Sequence, residues 1–366
     1  MPSNKQHHYV PKFMLKNFSN DTEAKSINIF VITNAKTIQN AGLSDQCKKD
    51  YFYGHNLAME KELSHLEGNC SVIFKTAIDS KTLPLKKSAN HSKLLEFLSV
   101  QLPRTEKEDS ANNEWVDKMA KYILTSKCPE LRGLDDILIR VKNSVLFEIC
   151  RGVLMAPVMA DLEYKLLVAT GDEEFILSDN PAVIFNQYFG YKNLFFTHGK
   201  ASQGLQILLP ISPRHALIFY DKAIYKIGEK RKSTVHINTL DTRQFNILQY
   251  LNAGKTVYFR TAKNINYMNQ IHTEFNTKRV LDLSYCKPET VCLTENGKEQ
   301  KGLTFGANRP QFAPVTQCIS IIRRRKRNNL PMGLRDPAWA KIVNDKCDIV
   351  EKELISKFWD LSILTK

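Results

Sequence analysis

Between Met59 and Ile78 the apolar residues Met59, Leu63, Leu66, Cys70 and Ile73 recur at steps of three or four, with Phe74 beside the last. That spacing puts them on one face of an α-helix and leaves Glu60, Lys61 and Glu67 free to face elsewhere. Helical signals then dominate from Leu57 to about Thr170. A second helix begins near Ser88 and carries Leu94, Leu95, Phe97, Leu98 and Leu102. Pro103 cannot donate an amide hydrogen, so it ends or kinks that helix near Gln101. Trp115–Thr125 and Val145–Ala169 complete a helical cluster. The second of these is apolar almost all round and is expected at the centre.

The texture on either side is different. Residues 26–54 contain the β-rich run Ile27–Ile32, a turn at Asn34–Lys36 and a returning strand at Thr37–Gln39, with Asp50–Gly54 able to add a third. After Gly171, Phe175-Ile176-Leu177 is stopped by Ser178-Asp179-Asn180-Pro181, which is turn chemistry. Leu205–Leu209 and His215–Tyr220 read as two more strands, with Asp221–Ile227 able to pair with them. A helix over Arg243–Leu251, a strand over Thr256–Phe259 and a helix over about Ala262–Thr277 follow. The order sheet, helices, sheet, helix predicts an α+β protein in which small antiparallel sheets combine with a central helical cluster.

The predicted organisation is an α+β core over 1–285, a basic polar linker over 286–335 and a C-terminal amphipathic helix over 336–366. Asp336-Pro337 supplies an N-cap and a first-turn proline for that helix.

With 43% hydrophobic and 25% charged residues the chain has the make-up of a globular protein. No apolar run reaches the roughly 20 residues of a membrane helix, and the N-terminus is polar, so no membrane partner and a cytoplasmic location are expected. Eight cysteines are scattered without a C-x-x-C pair, which predicts reduced thiols. The formal charge of +14 and a pI near 9.3 draw polyanions, so nucleic acid is the partner that the charge points to.

The common phosphate-loop, dinucleotide, zinc-peptidase and hydrolase-elbow motifs are absent. What remains is a set of polar residues at the ends of elements. Gln6-His7-His8-Tyr9-Val10-Pro11-Lys12-Phe13-Met14-Leu15-Lys16-Asn17-Phe18 resembles the opening of an uncharacterised bacterial family, domain-of-unknown-function family 4238. The resemblance continues through Glu67, Gln101-Leu102-Pro103-Arg104-Thr105, Leu177–Pro181 and Leu209–Pro213, covering roughly residues 5–260. Position 14, usually aromatic in the family, is methionine here. The family brings no established activity; some members sit in defence-related gene neighbourhoods.

The candidate catalytic residues are His7, His8, Glu67, Arg104 and Asp179. Histidine exchanges protons near neutral pH and ligates metals, so His7 or His8 would be a general base or a ligand, or else would pack beneath the N-terminal segment. Glu67, beside an apolar stripe, needs a partner, either an arginine or a metal. Arg104 follows the helix-ending proline, where its planar fork either anchors a phosphate or pairs with Glu67. Asp179 either binds a metal or orients a histidine, or serves as turn chemistry. Tyr9, Gln101, Ser178 and Asn180 are supporting candidates. The run Arg323, Arg324, Arg325, Lys326 and Arg327 is a candidate nucleic-acid contact or a solvated arm.

Two functions follow as expectations. One is a nucleic-acid phosphodiester hydrolase acting as a defence effector, with a divalent metal as the cofactor such chemistry would call for. The other is a non-catalytic nucleic-acid-binding or protein-interaction module, in which the polar residues form a buried network.

Overall fold

Tyr9, Val10, Leu15 and Phe18 of the N-terminal stretch are too few to form a core among themselves, and they are buried by elements far along the chain. A computed structural model describes residues 5–55, 57–131, 133–190, 197–293, 299–310, 312–322, 333–358 and 360–365. Strand β1 (Gln6–His8) leads into helix α1 (Lys12–Asn17), then β2 (Ser26–Val31), β3 (Lys36–Gly42) and β4 (Lys48–Asp50). The helical stretch follows as α2 (Ala58–Ser80), α3 (Ala89–Gln101), α4 (Glu106–Lys127), strand β5 (Ile137–Lys142) and α5 (Ser144–Met155). Next come β6 (Glu163–Ala169), β7 (Leu177–Ser178), β8 (Val183–Phe185), β9 (Gln206–Ser212), β10 (His215–Tyr220), β11 (Tyr225–Ile227) and β12 (Thr234–Ile237). The chain continues through α6 (Thr239–Asn252), β13 (Thr256–Phe259), α7 (Asn264–Phe275), β14 (Ser284–Leu293), β15 (Glu299–Ala307), β16 (Ile319–Ile321), α8 (Pro337–Phe358) and β17 (Asp360–Thr365).

The protein is α+β, with small sheets around a helical cluster. The central sheet has the order β12-β6-β10-β9-β8, antiparallel except for the parallel β12–β6 pair. A second sheet, β3-β2-β13-β7, joins the N-terminal hairpin to strands from far along the chain, β13 lying directly against β2. The main core joins Val10, Met14, Leu15 and Phe18 to Phe74 of α2, Phe97 and Leu98 of α3, and Leu166, Leu208 and Leu217 of the central sheet. Burying side chains of this size stabilises the fold by roughly 1.5–3 kcal/mol each, before the entropy of ordering them is subtracted.

Several local expectations meet a different outcome in space. The apolar stretch Val145–Ala169 is two elements: α5 stops at Met155, a short 3-10 turn carries Pro157, and Glu163–Ala169 is a central strand. A run apolar on all sides suits a strand covered on both faces as well as it suits a buried helix. Residues 50–54 do not extend the β2–β3 hairpin; Lys48–Asp50 pairs with β1 instead. Tyr225–Ile227 pairs with β16 rather than with its neighbours in sequence. Residues 284–307, placed by their polarity partly in a linker, contain an antiparallel hairpin of β14 and β15. Asp336 accepts from the Trp339 amide at 2.9 Å as the cap of α8, and β17 after that helix pairs with β5. Cys47, Cys70, Cys128, Cys150, Cys286, Cys318 and Cys347 are unbridged.

Candidate functional site

The polar motif residues converge, and the way each is held begins with β1. Pairing of β1 with β4 places His7 opposite Lys49 and turns its ring inward, where it is fully buried. Its Nδ1 accepts from the Tyr53 amide at 3.0 Å, and the two rings stack with centroids 5.4 Å apart. The Tyr53 hydroxyl donates to the His8 carbonyl at 3.0 Å, which ties the next residue to the same side chain. His8 itself is half-buried, with Nε2 at 3.3 Å from the Ser44 carbonyl. Burial and the nearby Lys12 charge push its pKa down to about 4, so the ring is neutral at pH 7. Tyr9 is buried against Phe52, and its phenol is pushed far up by burial and by Cys47.

Pro103 ends α3, and the chain turns at once into α4, capped by Thr105, whose Oγ1 accepts from the Glu108 amide at 3.4 Å. Arg104 sits between the two helices and is 1% exposed. Its Nε donates to Gln101 Oε1 at 2.8 Å and its Nη1 to Glu67 Oε1 at 2.8 Å. Gln101 in turn donates to the Tyr9 carbonyl at 3.1 Å. Arg104 Nη2 is buried and makes no hydrogen bond among the described residues. The pairing with Glu67 is the structural one of the two alternatives that the sequence left open.

The third motif follows β7. Asp179 accepts from three successive amides, Gly254 at 2.6 Å, Lys255 at 2.7 Å and Thr256 at 3.1 Å. Burial raises its pKa while those amides pull the other way. Ser178 donates to Gln249 Oε1 and to the Asn180 carbonyl, both at 2.8 Å. Asn180 accepts from Thr105 Oγ1 at 2.9 Å and donates to Glu108 Oε1 at 2.9 Å, which joins this motif to the α3–α4 turn. Asn252 on α6 returns a hydrogen bond to the Asn180 carbonyl at 2.8 Å.

The three segments therefore meet in one buried network, but not as a single cluster of catalytic groups. Among the described residues no hydrogen bond or ion pair joins His8 to Glu67, Arg104 or Asp179, and no group of three or more His, Cys, Asp or Glu is placed to hold a metal ion. The candidate residues do not make a ligand set for a divalent metal. The run 323–327 lies outside the described residues.

A cleft of about 390 Å³ opens beyond the Pro103 turn, and Glu108, the partner of Asn180, links its lining to the network just described. Leu102, Pro103, Met155 and Ile184 give it apolar surface, and Glu108, Glu148, Arg151, His198, Lys200 and Arg309 give it charge and hydrogen-bonding groups. Lys200 Nζ donates to Ser99 Oγ at 2.8 Å and approaches the Ser99 carbonyl at 3.4 Å. Helices α3 and α5 come this close because residue 152 is glycine: a Cβ there would stand 2.7 Å from the Ser99 carbonyl oxygen. Burial lowers Lys200 to about 8 and His198 to about 4. Sequence reading passed over Lys200, His198, Glu108, Gln249 and Asn252, because isolated polar residues in unremarkable surroundings carry no spacing signal. A lysine among helix-contact residues becomes visible only once its neighbours are known.

This geometry defines an α+β protein with a motif-built polar core beside a charged cleft. The family described as protein of unknown function (DUF4238) matches residues 6–263, and the chain belongs to that family. The match ends at the start of α7, so the β14–β15 hairpin, α8 and β17 lie beyond it. No curated protein and no solved structure matches the chain. No helix among the described residues is long and apolar enough to cross a membrane.

Proposed function

We propose that this chain binds nucleic acid without cleaving it, its motif residues acting as the internal tie that fixes the binding surface. The observation that carries this reading is how the candidate catalytic groups are used: Asp179 holds three backbone amides, Arg104 bridges Gln101 and Glu67, and His7 takes the Tyr53 amide. Groups engaged in this way stabilise a fold and have little capacity left for a substrate. The charge of +14 then acts at the surface. Exposed Lys12, Lys16 and Lys49 lie on the elements that flank His8, where they would meet phosphates.

The test is fluorescence anisotropy with labelled single- and double-stranded DNA and RNA, run beside a gel assay for cleavage with and without divalent metal. Binding should weaken steeply with salt and leave the nucleic acid intact, and Lys12→Glu/Lys49→Glu should lower both the affinity and the salt slope. Absence of salt-dependent binding would overturn the reading.

Two observations favour a second reading, the phosphodiester hydrolase of a defence effector. His8 is neutral and partly open to solvent, and the buried Nη2 of Arg104 has a donor to offer a polar ligand. Cleavage in the same assay, lost in both His8→Ala and Arg104→Lys, would establish it in place of the first. Cleavage that survives His8→Ala would remove that histidine from the mechanism.

A further inference from the structure

We infer that the cleft between the Pro103 turn, α5 and residues 197–202 binds a phosphomonoester of nucleotide size, with Lys200 meeting the phosphate. Lys200 is the starting point. Its ammonium contacts two oxygens of Ser99, both uncharged, and among the described residues no carboxylate stands within ion-pair distance of it. Ser99 is fully buried and passes its own hydrogen to the Gly152 carbonyl at 2.5 Å, so it supplies Lys200 with an acceptor but no charge. Lys200 is half-buried in the cleft, with uncharged oxygens as its nearest acceptors and Glu148 an opposite charge farther off, so an anion entering the cleft finds a cation with which it can pair directly. Burial lowers the Lys200 pKa to about 8, which agrees with that position and still leaves the amine mostly protonated at pH 7.

The surrounding charge favours a phosphate over a carboxylate. Arg151 and Arg309 line the same cleft, and among the described residues Arg151 pairs with Glu148 at 3.8 Å and Arg309 with Glu108 at 3.4 Å. Glu108 is shared with Asn180. Among the described residues that line the cleft, three cations stand against two carboxylates, and a phosphomonoester carries close to two negative charges at pH 7. His198, neutral at this pH, adds an imidazole with Nδ1 at 2.9 Å from Thr197 Oγ1.

Size and apolar surface set the rest of the ligand. A volume of about 390 Å³ falls within the range of small-molecule sites, roughly 300–1,000 Å³. Inorganic phosphate would leave most of it unfilled, while Leu102, Pro103, Met155 and Ile184 offer a surface for a planar or apolar body. The site is also held rigidly. Arg335 is 4% exposed at its side chain, donates to the Lys200 carbonyl at 2.7 Å and the Ser202 carbonyl at 2.9 Å, and is anchored on Asp161. Fixing the backbone of residue 200 lowers the ordering cost of binding.

Isothermal titration calorimetry of the full chain tests this with AMP, adenosine, ribose 5-phosphate and inorganic phosphate. AMP should bind, adenosine and inorganic phosphate should each bind at least tenfold more weakly, and Lys200→Met should weaken AMP at least tenfold. Ribose 5-phosphate binding nearly as well as AMP would keep the phosphate assignment and show that the base adds little. Should Lys200→Met fail to fold, Arg151→Gln decides, because that side chain is half-exposed: AMP must weaken several-fold. Equal binding of AMP and adenosine, or AMP binding untouched by either variant, would overturn the inference. The proposal is independent of polynucleotide binding. Oligonucleotide binding that persists while AMP fails to bind sinks the cleft alone, and AMP binding without any oligonucleotide binding sinks the surface reading alone.

Discussion

Gln101 accepts from Arg104 Nε at 2.8 Å through its oxygen and donates to the Tyr9 carbonyl through its nitrogen, so one amide locks a buried guanidinium to the N-terminal segment. Gln101 is the last residue of α3, and the turn at Leu102-Pro103 brings Arg104, just beyond the helix, back onto it. This contact and those of Tyr53 tie the histidine–tyrosine opening to the helices, beside the pairing of β1 with β4.

Replacing that amide by an apolar group of similar length tests the lock. Gln101→Leu leaves Arg104 Nε and the Tyr9 carbonyl without partners in a dry setting, and we expect a loss of about 2–4 kcal/mol. Urea unfolding followed by tryptophan fluorescence measures it. A change below half a kcal/mol would mean the network is not what holds the segment.

Asp179 is the residue whose reading separates structure from catalysis. Asp179→Asn keeps the shape but turns a donor toward amides that need an acceptor, so stability should fall by about 2–3 kcal/mol. Oligonucleotide affinity per folded molecule should stay within twofold. A stable variant that has lost its function would place the carboxylate at the ligand instead.

Two histidines make folding depend on pH. His8 and His198 each have a pKa near 4 in the folded chain, through burial first and then Lys12 and Arg309 respectively, against 6.5 for an unperturbed imidazole. Between these values the unfolded chain binds more protons than the folded one, so stability rises with pH from about 4 to about 6.5 and is fully present above that. Chemical denaturation from pH 4.5 to 7.5 should show this slope, and His8→Gln, which can keep the bond to the Ser44 carbonyl, should flatten part of it. An unchanged slope in that variant would contradict the burial of His8.

Arg335 fastens the chain beyond the family match to the core, with Nε and Nη2 on Asp161 and further bonds to the carbonyls of Val158, Lys200 and Ser202. Arg335→Ala should cost about 2–3 kcal/mol, mainly because three carbonyls lose their donor, while the part-exposed Asp161 can turn to water. Hydrogen exchange should accelerate in α8 and in residues 197–202 together. Faster exchange in α8 alone would show that the loop is held by something else.

Local pattern was enough for α2, α3, β13 and the start of α8. There the signal lies in neighbouring residues: apolar steps of three and four, a proline that cannot donate, and the aspartate before Pro337 that caps its helix. It was enough also to pick out Glu67 as a residue in need of a partner, because a charge beside an apolar stripe is costly whatever the fold, and Arg104 after the helix-ending proline as one that could supply it.

What tertiary structure alone decided is which partner each of them takes. Val145–Ala169 is apolar enough for a helix or a strand, and the choice falls to the central sheet, where β6 lies between β10 and β12. Asp179 could have faced a metal or a histidine, but the chain returns after α6 and offers it three amides from residues 254–256. Lys200 and Ser99 are 101 positions apart and gave no sign of each other. Hydrophobic periodicity is a short-range property of the chain, whereas hydrogen-bond partners are fixed by packing between distant segments. The amino-acid sequence by itself therefore set the strongly periodic helices and the polar residues that stand in motifs, and only the fold set the partners, and so the chemistry, of those residues and of Lys200 and Ser99.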